Sequence, residues 1–282
     1  MPELPEVETV VRGLRTPLET QKITAAQVFS AKIRTPIPVH LASAVTGRTI
    51  ISVARRAKYI LIHLNDDLTI IIHLGMTGNI RLVEKSPATW SPEKHDHLFL
   101  RLHSKTAMVF SDPRRFGVLD LVKTSELSQW KSIRDLGPEP LERNFTGAVL
   151  KNILSGRKTA VKLALLNQSL LVGVGNIYAS EALFRAGISP LRPALKVTSA
   201  QAETLCGAIK EVLRAAIKAG GSTLKDYRHA SGEIGFFQNR FAVYDRAGAA
   251  CPGCTCDIAK TGGIKRLVQG GRSTFYCPRK QS

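Results

Sequence analysis

A five-residue break, Leu136-Gly137-Pro138-Glu139-Pro140, separates two stretches of opposite periodicity, and few folds accommodate that order. A glycine and two prolines interrupt helix and strand alike, so the segment reads as a linker or hinge. Ahead of it lie β-rich runs at Lys22–Phe29, Thr49–Leu64, Leu68–Leu74, His97–His103, Thr106–Ser111 and Gly117–Val122. Asn65-Asp66-Asp67 and Ser104-Lys105 sit where short turns would join neighbouring strands. Val7, Val10, Val11 and Leu14 fall at i, i+3, i+4 and i+7 and predict a helix before the first strand. After the break, from about Phe145 to Gly220, the pattern is helical, including Lys158–Asn167, Asn176–Ala186 and Ser199–Ala219. Gly220-Gly221 ends the last of these helices. Residues 221–240 lack a clear period and read as a long loop, and a small cysteine-bearing module closes the chain. Strands followed by helices define an α+β, multidomain chain whose strands form a β-sandwich or barrel flanked by the N-terminal helix.

At 282 residues there is room for two domains with substantial cores. Forty lysines and arginines against 22 acidic residues leave a net charge of +18 and a pI near 10.1. Such a surface favours a polyanionic partner, and without a basic amphipathic anchor nucleic acid outranks a membrane. No apolar run reaches the ~18 residues that span a bilayer, and the acidic N-terminus excludes a secretory signal peptide. Four of the five cysteines follow position 250. That distribution suits a reducing compartment, the cytosol by default, and a metal site rather than a disulfide framework. Cys206, inside an apolar helical pattern, reads as core.

The chain opens Met1-Pro2-Glu3-Leu4-Pro5-Glu6-Val7-Glu8. A proline in second place allows removal of Met1, which would leave the secondary amine of Pro2 as a free N-terminus. An α-amino group titrates near ~7.7–8.0, so a useful fraction is unprotonated at neutral pH. Condensed with a sugar C1′, a secondary amine gives an iminium whose positive charge is an electron sink for elimination. Glu3 and Glu6 offer carboxylates for proton transfer. The same residues also suit an ordinary helix start.

Four further clusters carry chemistry. Arg55-Arg56-Ala57-Lys58-Tyr59 places cations on an otherwise apolar strand, as a surface cluster or a lysine aimed at phosphate. Gly75-Met76-Thr77-Gly78 puts an apolar side chain on a glycine-framed turn, and Asp112-Pro113-Arg114-Arg115-Phe116-Gly117 puts a cation and an aromatic on a tight loop. Met, Arg and Phe on loops are residues that wedge into a duplex. In Gln168–Ile177, Gly173 and Gly175 permit a tight turn while Asn176 can cap the next helix, whose N-terminus would face a phosphate. A plain helix–turn–helix corner or a recognition helix fits there too.

Cys251-x2-Cys254 with Cys277 resembles a zinc ribbon, but Lys280 stands where the fourth cysteine is expected. Cys256 could supply the missing thiolate. Gln269–Phe275 fits a hairpin turn with Arg272 at its tip. His95-Asp96-His97 fits solvent, backbone or phosphate contacts better than a metal.

Taken in order, these motifs resemble the bacterial formamidopyrimidine-DNA glycosylases, repair enzymes that remove oxidised purines. The resemblance runs from PELPEVE at 2–8 through RRAKY at 55–59, HLGMTG at 73–78, KHDH at 94–97, DPRRFG at 112–117, LGPEPL at 136–141 and VGVGNIYASE at 172–181 to GRSTFYCP at 271–278. The related endonuclease VIII branch, which attacks oxidised pyrimidines, usually has glycine where Leu4 stands and lacks the combination of Met76, Arg114 and Phe116.

The resemblance implies a catalytic β-sandwich domain at 1–134, a hinge at 135–150, a helix–two-turn–helix domain at 151–240 and a zinc-finger-like hairpin at 241–282. A lesion-capping loop is expected at about 222–238. Damaged double-stranded DNA would be held across the hinge with the lesion flipped out, the protein acting as a cytosolic monomer without an organic cofactor. It further implies that Pro2 attacks C1′ and Glu3 assists base departure, with Glu6 beside them. Lys58 matches the residue assigned to β-elimination and Arg272 the one assigned to δ-elimination. Asn176 and Arg272 would grip phosphates, and His73, His95, Arg114, Arg157 and Lys158 match further DNA contacts. Met76, Arg114 and Phe116 would fill the vacated stack. Zinc on Cys251, Cys254, Cys256 and Cys277 is the expected metal. A non-catalytic DNA-binding module and an endonuclease VIII-like enzyme are the competing readings.

Overall fold

The structure, a computed structural model, describes residues 1–84, 91–222, 235–255 and 257–282. The chain divides into two compact units, Met1–Asp135 with Ala219–Phe236, and Leu136–Lys218 with Phe237–Ser282. The division after Asp135 falls at the Gly-Pro break. The stretch beginning at Ala219 belongs to the first unit, and the C-terminal hairpin packs with the helices of the second.

In the first unit, α1 (Leu4–Leu18) buries Leu4, Val7, Val10, Val11, Leu14 and Leu18, the stripe its spacing predicts. Strands β1 (Ile23–Val28), β2 (Ile50–Arg56), β3 (Tyr59–Leu64), β4 (Leu68–His73), β5 (Asn79–Glu84), β6 (Asp96–Leu102), β7 (Thr106–Ser111) and β8 (Val118–Lys123) form two four-stranded sheets. Their orders are β1-β6-β7-β5 and β2-β3-β4-β8, with antiparallel pairing throughout. Ile60, Ile62 and Leu64 of β3, Ile70 and Ile72 of β4, Leu98 and Leu100 of β6, and Met108 and Phe110 of β7 share one core with α1. Alternate residues of both sheets thus face one interior, and the fold is a β-sandwich. Short helices α2 (Leu41–Val45) and α3 (Lys131–Arg134) flank it.

Two local results differ from the sequence pattern. The run Thr49–Leu64 is not one strand: β2 and β3 pair Arg56 with Tyr59 across a two-residue turn, where Ala57 has φ +53°. No glycine or asparagine marks that turn, so the pattern hides it. Strand β5 was not anticipated, because it is an edge strand whose Ile80 and Leu82 alternate with Arg81 and Val83 over only six residues.

The second unit contains α4 (Gly147–Leu154), α5 (Val161–Leu166), α6 (Asn176–Arg185), α7 (Ser199–Lys218) and α8 (Ile258–Thr261), with a hairpin of β9 (Lys265–Gln269) and β10 (Arg272–Tyr276). Gly147 permits the close packing of α4 on α7, since a Cβ there would lie 2.5 Å from the Glu203 Cα. Cys206 is buried on α7, as its apolar setting predicts, and burial pushes its thiol upward. Among the described residues no helix is long and apolar enough to cross a membrane.

Candidate functional site

The N-terminal residues are held by a closed set of hydrogen bonds within the first unit. Glu3 caps α1, its backbone N–H donating to Glu6 Oε2 at 2.8 Å in a reciprocal capping box. Glu6 Oε1 accepts both the Ser222 N–H (2.8 Å) and the Ser222 hydroxyl (3.0 Å). Pro2, Glu3 and Glu6 are buried, while Met1 is exposed. Gly221 has φ +78° and lies so near that a Cβ would sit 3.0 Å from Glu6 Oε1. The geometry therefore gives Glu6 a holding role that the sequence pattern did not reveal.

Lys58 occupies the β2–β3 turn and is only 5 % exposed. Burial, followed by the charges of Lys58 and Arg34, pushes the His73 imidazole down to about 4 against a smaller upward pull from Asp112. His73 is thus neutral near pH 7. Its Nδ1 accepts the Gly75 N–H at 2.9 Å, which leaves Nε2 as the protonated nitrogen. The Tyr59 ring lies 4.9 Å from the His73 ring and meets Trp130 edge-on at 5.5 Å. On the α1 side, Glu8 receives Arg12 Nε and Arg55 Nε, each at 2.9 Å. Burial works to raise the Glu8 carboxyl, and these two guanidiniums outweigh it and hold it below the usual range.

Two loops present Met76, Arg114 and Phe116. Met76 and Phe116 are each 43 % exposed, two large apolar side chains on adjoining loops. The Arg114 guanidinium lies 4.8 Å over the Phe116 ring. Buried Asp112 ties the loops together, accepting the Thr77 hydroxyl and the Gly117 N–H at 2.7 Å each. Gly75 (φ +61°) lets the backbones touch, because a Cβ there would lie 2.5 Å from the Phe116 carbonyl carbon. His95 is exposed, and its carbonyl accepts the Asp112 N–H at 3.0 Å. His97 lies within hydrogen-bond distance of Ser30 and the Asp112 carbonyl, in keeping with the non-metal reading of that cluster.

In the second unit, α5 and α6 are joined by a double turn. Gln168 sews it, accepting the Gly173 N–H and donating to the Leu166 and Val174 carbonyls. Asn176 does not cap α6, contrary to expectation. Gly175 is the N-cap, and the Asn176 side chain instead accepts Lys162 Nζ at 2.7 Å and donates to the Ser273 carbonyl at 2.8 Å. Fully buried Lys162 also donates to Thr274 Oγ1 (2.7 Å) and the Ser273 carbonyl (3.2 Å). Asn176 and the residues after Arg272 are therefore fixed to each other. Lys162 was missed in the sequence, although a lysine inside the apolar run Val161–Leu166 was a visible signal. Gly270 (φ +55°) and Gly271 (φ +73°) form the hairpin turn, and exposed Arg272 is the first residue of β10. Arg157 and Lys158 are exposed, with Arg157 Nε donating to the Ile153 carbonyl at 2.8 Å.

Buried Glu181 receives the backbone N–H groups of Ala242, Val243 and Tyr244 at 2.8–2.9 Å and anchors the approach to the cysteine module. There Cys251, Cys254 and Cys277 place their sulfurs within 4.8 Å of one another, the closest pairs at 3.3 and 3.7 Å. Tetrahedral thiolates at ~2.3 Å from a zinc ion stand about 3.8 Å apart, so these three can hold a metal ion. Cys256 lies outside the described residues, as do 223–234, most of the expected lesion-capping loop. Lys280 meets the cluster through its backbone, its N–H donating to Cys277 Sγ at 3.4 Å, while its ammonium lies 4.2 Å over the Phe184 ring.

A β-sandwich headed by a helix, joined in sequence to a helix–two-turn–helix unit and a cysteine-bearing hairpin, defines a class of multidomain α+β proteins. Residues 1–119 match the formamidopyrimidine-DNA glycosylase N-terminal domain, and residues 136–228 match the H2TH domain of the same enzymes. The formamidopyrimidine-DNA glycosylase of Rhodospirillum rubrum is 50 % identical over 281 residues, with all of both chains covered. Among solved structures, the complex of a Lactococcus lactis Fpg variant with DNA containing Fapy-dG superposes with a TM-score of 0.88 at 33 % identity, covering 99 % of each chain. The wild-type L. lactis protein in complex with DNA containing an oxidized pyrimidine gives 0.87 at 33 % identity, again covering 99 % of each chain. The MutM (Fpg) protein of Thermus thermophilus gives 0.85 at 39 % identity, covering 99 % of this chain and 98 % of that one. The chain belongs to the formamidopyrimidine-DNA glycosylase family.

Proposed function

We propose that the chain is a bifunctional DNA glycosylase and abasic-site lyase that excises oxidised purines from double-stranded DNA. The observation that carries this reading is the ordered burial of Pro2 and Glu3 at the head of α1, in the same unit as the nearly buried Lys58. Once Met1 is removed, the Pro2 nitrogen attacks C1′ of the flipped nucleotide, and the C1′–N bond to the damaged base breaks. Glu3 supports proton transfer to the departing base; the attacking nitrogen gives up its proton, and O4′ takes one as the C1′–O4′ bond breaks to leave an open-chain iminium. The resulting iminium acidifies C2′, and loss of that proton expels the 3′-phosphate. A second elimination expels the 5′-phosphate. Lys58 serves the first elimination and Arg272 the second, each beside the phosphate that departs. Asn176, braced by Lys162, holds a neighbouring phosphate, with His73, His95, Arg157 and Lys158 as further contacts.

Met76, Arg114 and Phe116 fill the space of the extruded base, a role supported by their exposure on two mutually braced loops. The net charge of +18 suits the phosphate backbone. The domain boundaries proposed are 1–134, 135–150, 151–240 and 241–282, and the setting is the bacterial cytosol, with the protein acting as a monomer. Zinc is the metal proposed for Cys251, Cys254 and Cys277. Bound there, it would stabilise the C-terminal module and take no part in the chemistry.

The lesion range is tested with duplexes carrying 8-oxoguanine, formamidopyrimidine or thymine glycol under single-turnover conditions. The two purine lesions are expected to be excised at least tenfold faster than thymine glycol. The reverse order would favour the endonuclease VIII-like reading, and salt-sensitive binding without scission would favour a non-catalytic module.

A further inference from the structure

We propose that Arg55 is a positioning residue for Lys58, acting through the peptide bond that joins Ala57 to Lys58. This rests on the reading above, in which Lys58 serves the elimination steps. Arg55 closes a bridge between two elements. Its Nε donates to Glu8 Oε2 on α1 at 2.9 Å, and its Nη1 donates to the Ala57 carbonyl at 3.0 Å. The Arg55 and Glu8 side chains are 11 % and 13 % exposed. The second Glu8 oxygen is taken by Arg12, which fixes the carboxylate plane.

The acceptor on the turn is the informative part. The Ala57 carbonyl belongs to the same rigid plane as the Lys58 nitrogen, so holding that oxygen sets the direction in which Lys58 leaves the backbone. Ala57 has φ +53° at the first of two loop residues, a place that glycine fills in hairpins of this length. Alanine adopts that conformation under strain and keeps it where surrounding contacts over-determine it. Ala57 is 2 % exposed and Lys58 5 %, so the turn cannot relax into solvent. Glu8 sits on the helix that begins just after Pro2. The bridge therefore references the Lys58 turn to the element that carries the N-terminal amine. A surface ion pair of no consequence would not end on the one carbonyl that orients Lys58.

The test uses the full chain and a duplex containing a preformed abasic site. Strand scission and borohydride trapping are followed in single turnover for Arg55→Ala, Lys58→Ala and the double variant, beside thermal melting of each. Arg55→Ala is expected to slow scission about tenfold while trapping at Pro2 stays within about twofold. Combined with Lys58→Ala it should add less than a factor of two, as residues acting in one unit do. Arg55→Lys, which reaches Glu8 or the carbonyl but not both, should fall between, and it supplies the readout if Arg55→Ala folds poorly. Losses that multiply in the double variant, or an equal fall in trapping and scission, would overturn the inference. A Lys58→Ala protein that cuts at the wild-type rate is a different failure. It removes the role given to Lys58, and the inference for Arg55 with it.

Discussion

The Thr77 hydroxyl stands 2.7 Å from Asp112 Oδ1 and joins the Met76 turn to the loop carrying Arg114 and Phe116. Since Asp112 also receives the Gly117 N–H, one buried carboxylate sets the spacing of both loops. Asp112→Ala would leave two donors without an acceptor and should destabilise the protein by about 2–3 kcal/mol. Excision should fall roughly tenfold as the loops separate, an effect of ~1.4 kcal/mol on the barrier. Thr77→Val, which removes the bond to Asp112 and the acceptor of the Arg114 N–H, should cost about 1–2 kcal/mol. Denaturant melts and single-turnover excision check both.

His73 should titrate near 4 in the folded protein, with Nε2 protonated at neutral pH. The folded pKa lies below the ordinary value of about 6.5, so the unfolded chain binds more protons in between. This contribution to stability is complete above about 6.5 and is lost as the pH falls toward 4. Nitrogen-edge NMR of the imidazoles, with His73→Gln for assignment, measures it. A His73 resonance titrating at 6.5 or above would contradict the burial argument.

Glu6 has acceptors engaged on both oxygens, and its neutral isostere cannot reproduce them. In Glu6→Gln the amide nitrogen must face either the Glu3 N–H or the Ser222 donors, a donor against a donor. A loss of about 2 kcal/mol is expected. Ser222→Ala keeps the backbone donor and should cost about 1 kcal/mol or less. Amide exchange at Glu3 and Ser222 reports the local loosening directly, and unchanged protection in Glu6→Gln would argue against the clamp.

For the cysteine module, Lys280→Cys should tighten zinc binding at least tenfold, while Cys254→Ser should lose it. Competition with a chromophoric chelator gives both affinities. The Lys280→Cys protein also gives up the contact of its ammonium with the buried Phe184 ring, worth about 0.5–2 kcal/mol. A gain in metal-free stability on that substitution would mean that the contact contributes nothing.

The strands and long helices were legible because their periodicity coincides with burial: Ile60, Ile62 and Leu64 face the same core that Val7 and Leu14 face from α1. The Lys58 turn was not legible, since its positive φ falls on an alanine and is maintained by Arg55. Asn176 looked like a cap because asparagine suits that role, but a buried ammonium fourteen residues earlier draws its side chain away. Lys162, Glu181 and Asp112 share a property that local pattern cannot display. Each is a buried ionisable side chain with at least one partner far along the chain. The motifs at 2–8 and 271–278 were readable as chemistry, whereas the groups that hold them had to be found in three dimensions.

That the nitrogen of Pro2 is the nucleophile is tested most directly by borohydride reduction of the protein on a duplex containing 8-oxoguanine, followed by peptide mass spectrometry of the cross-link. A stable protein–DNA adduct on the N-terminal peptide, carried by Pro2, is expected in chains from which Met1 has been removed. An adduct on a lysine, or trapping undiminished in a protein that retains Met1, would contradict it.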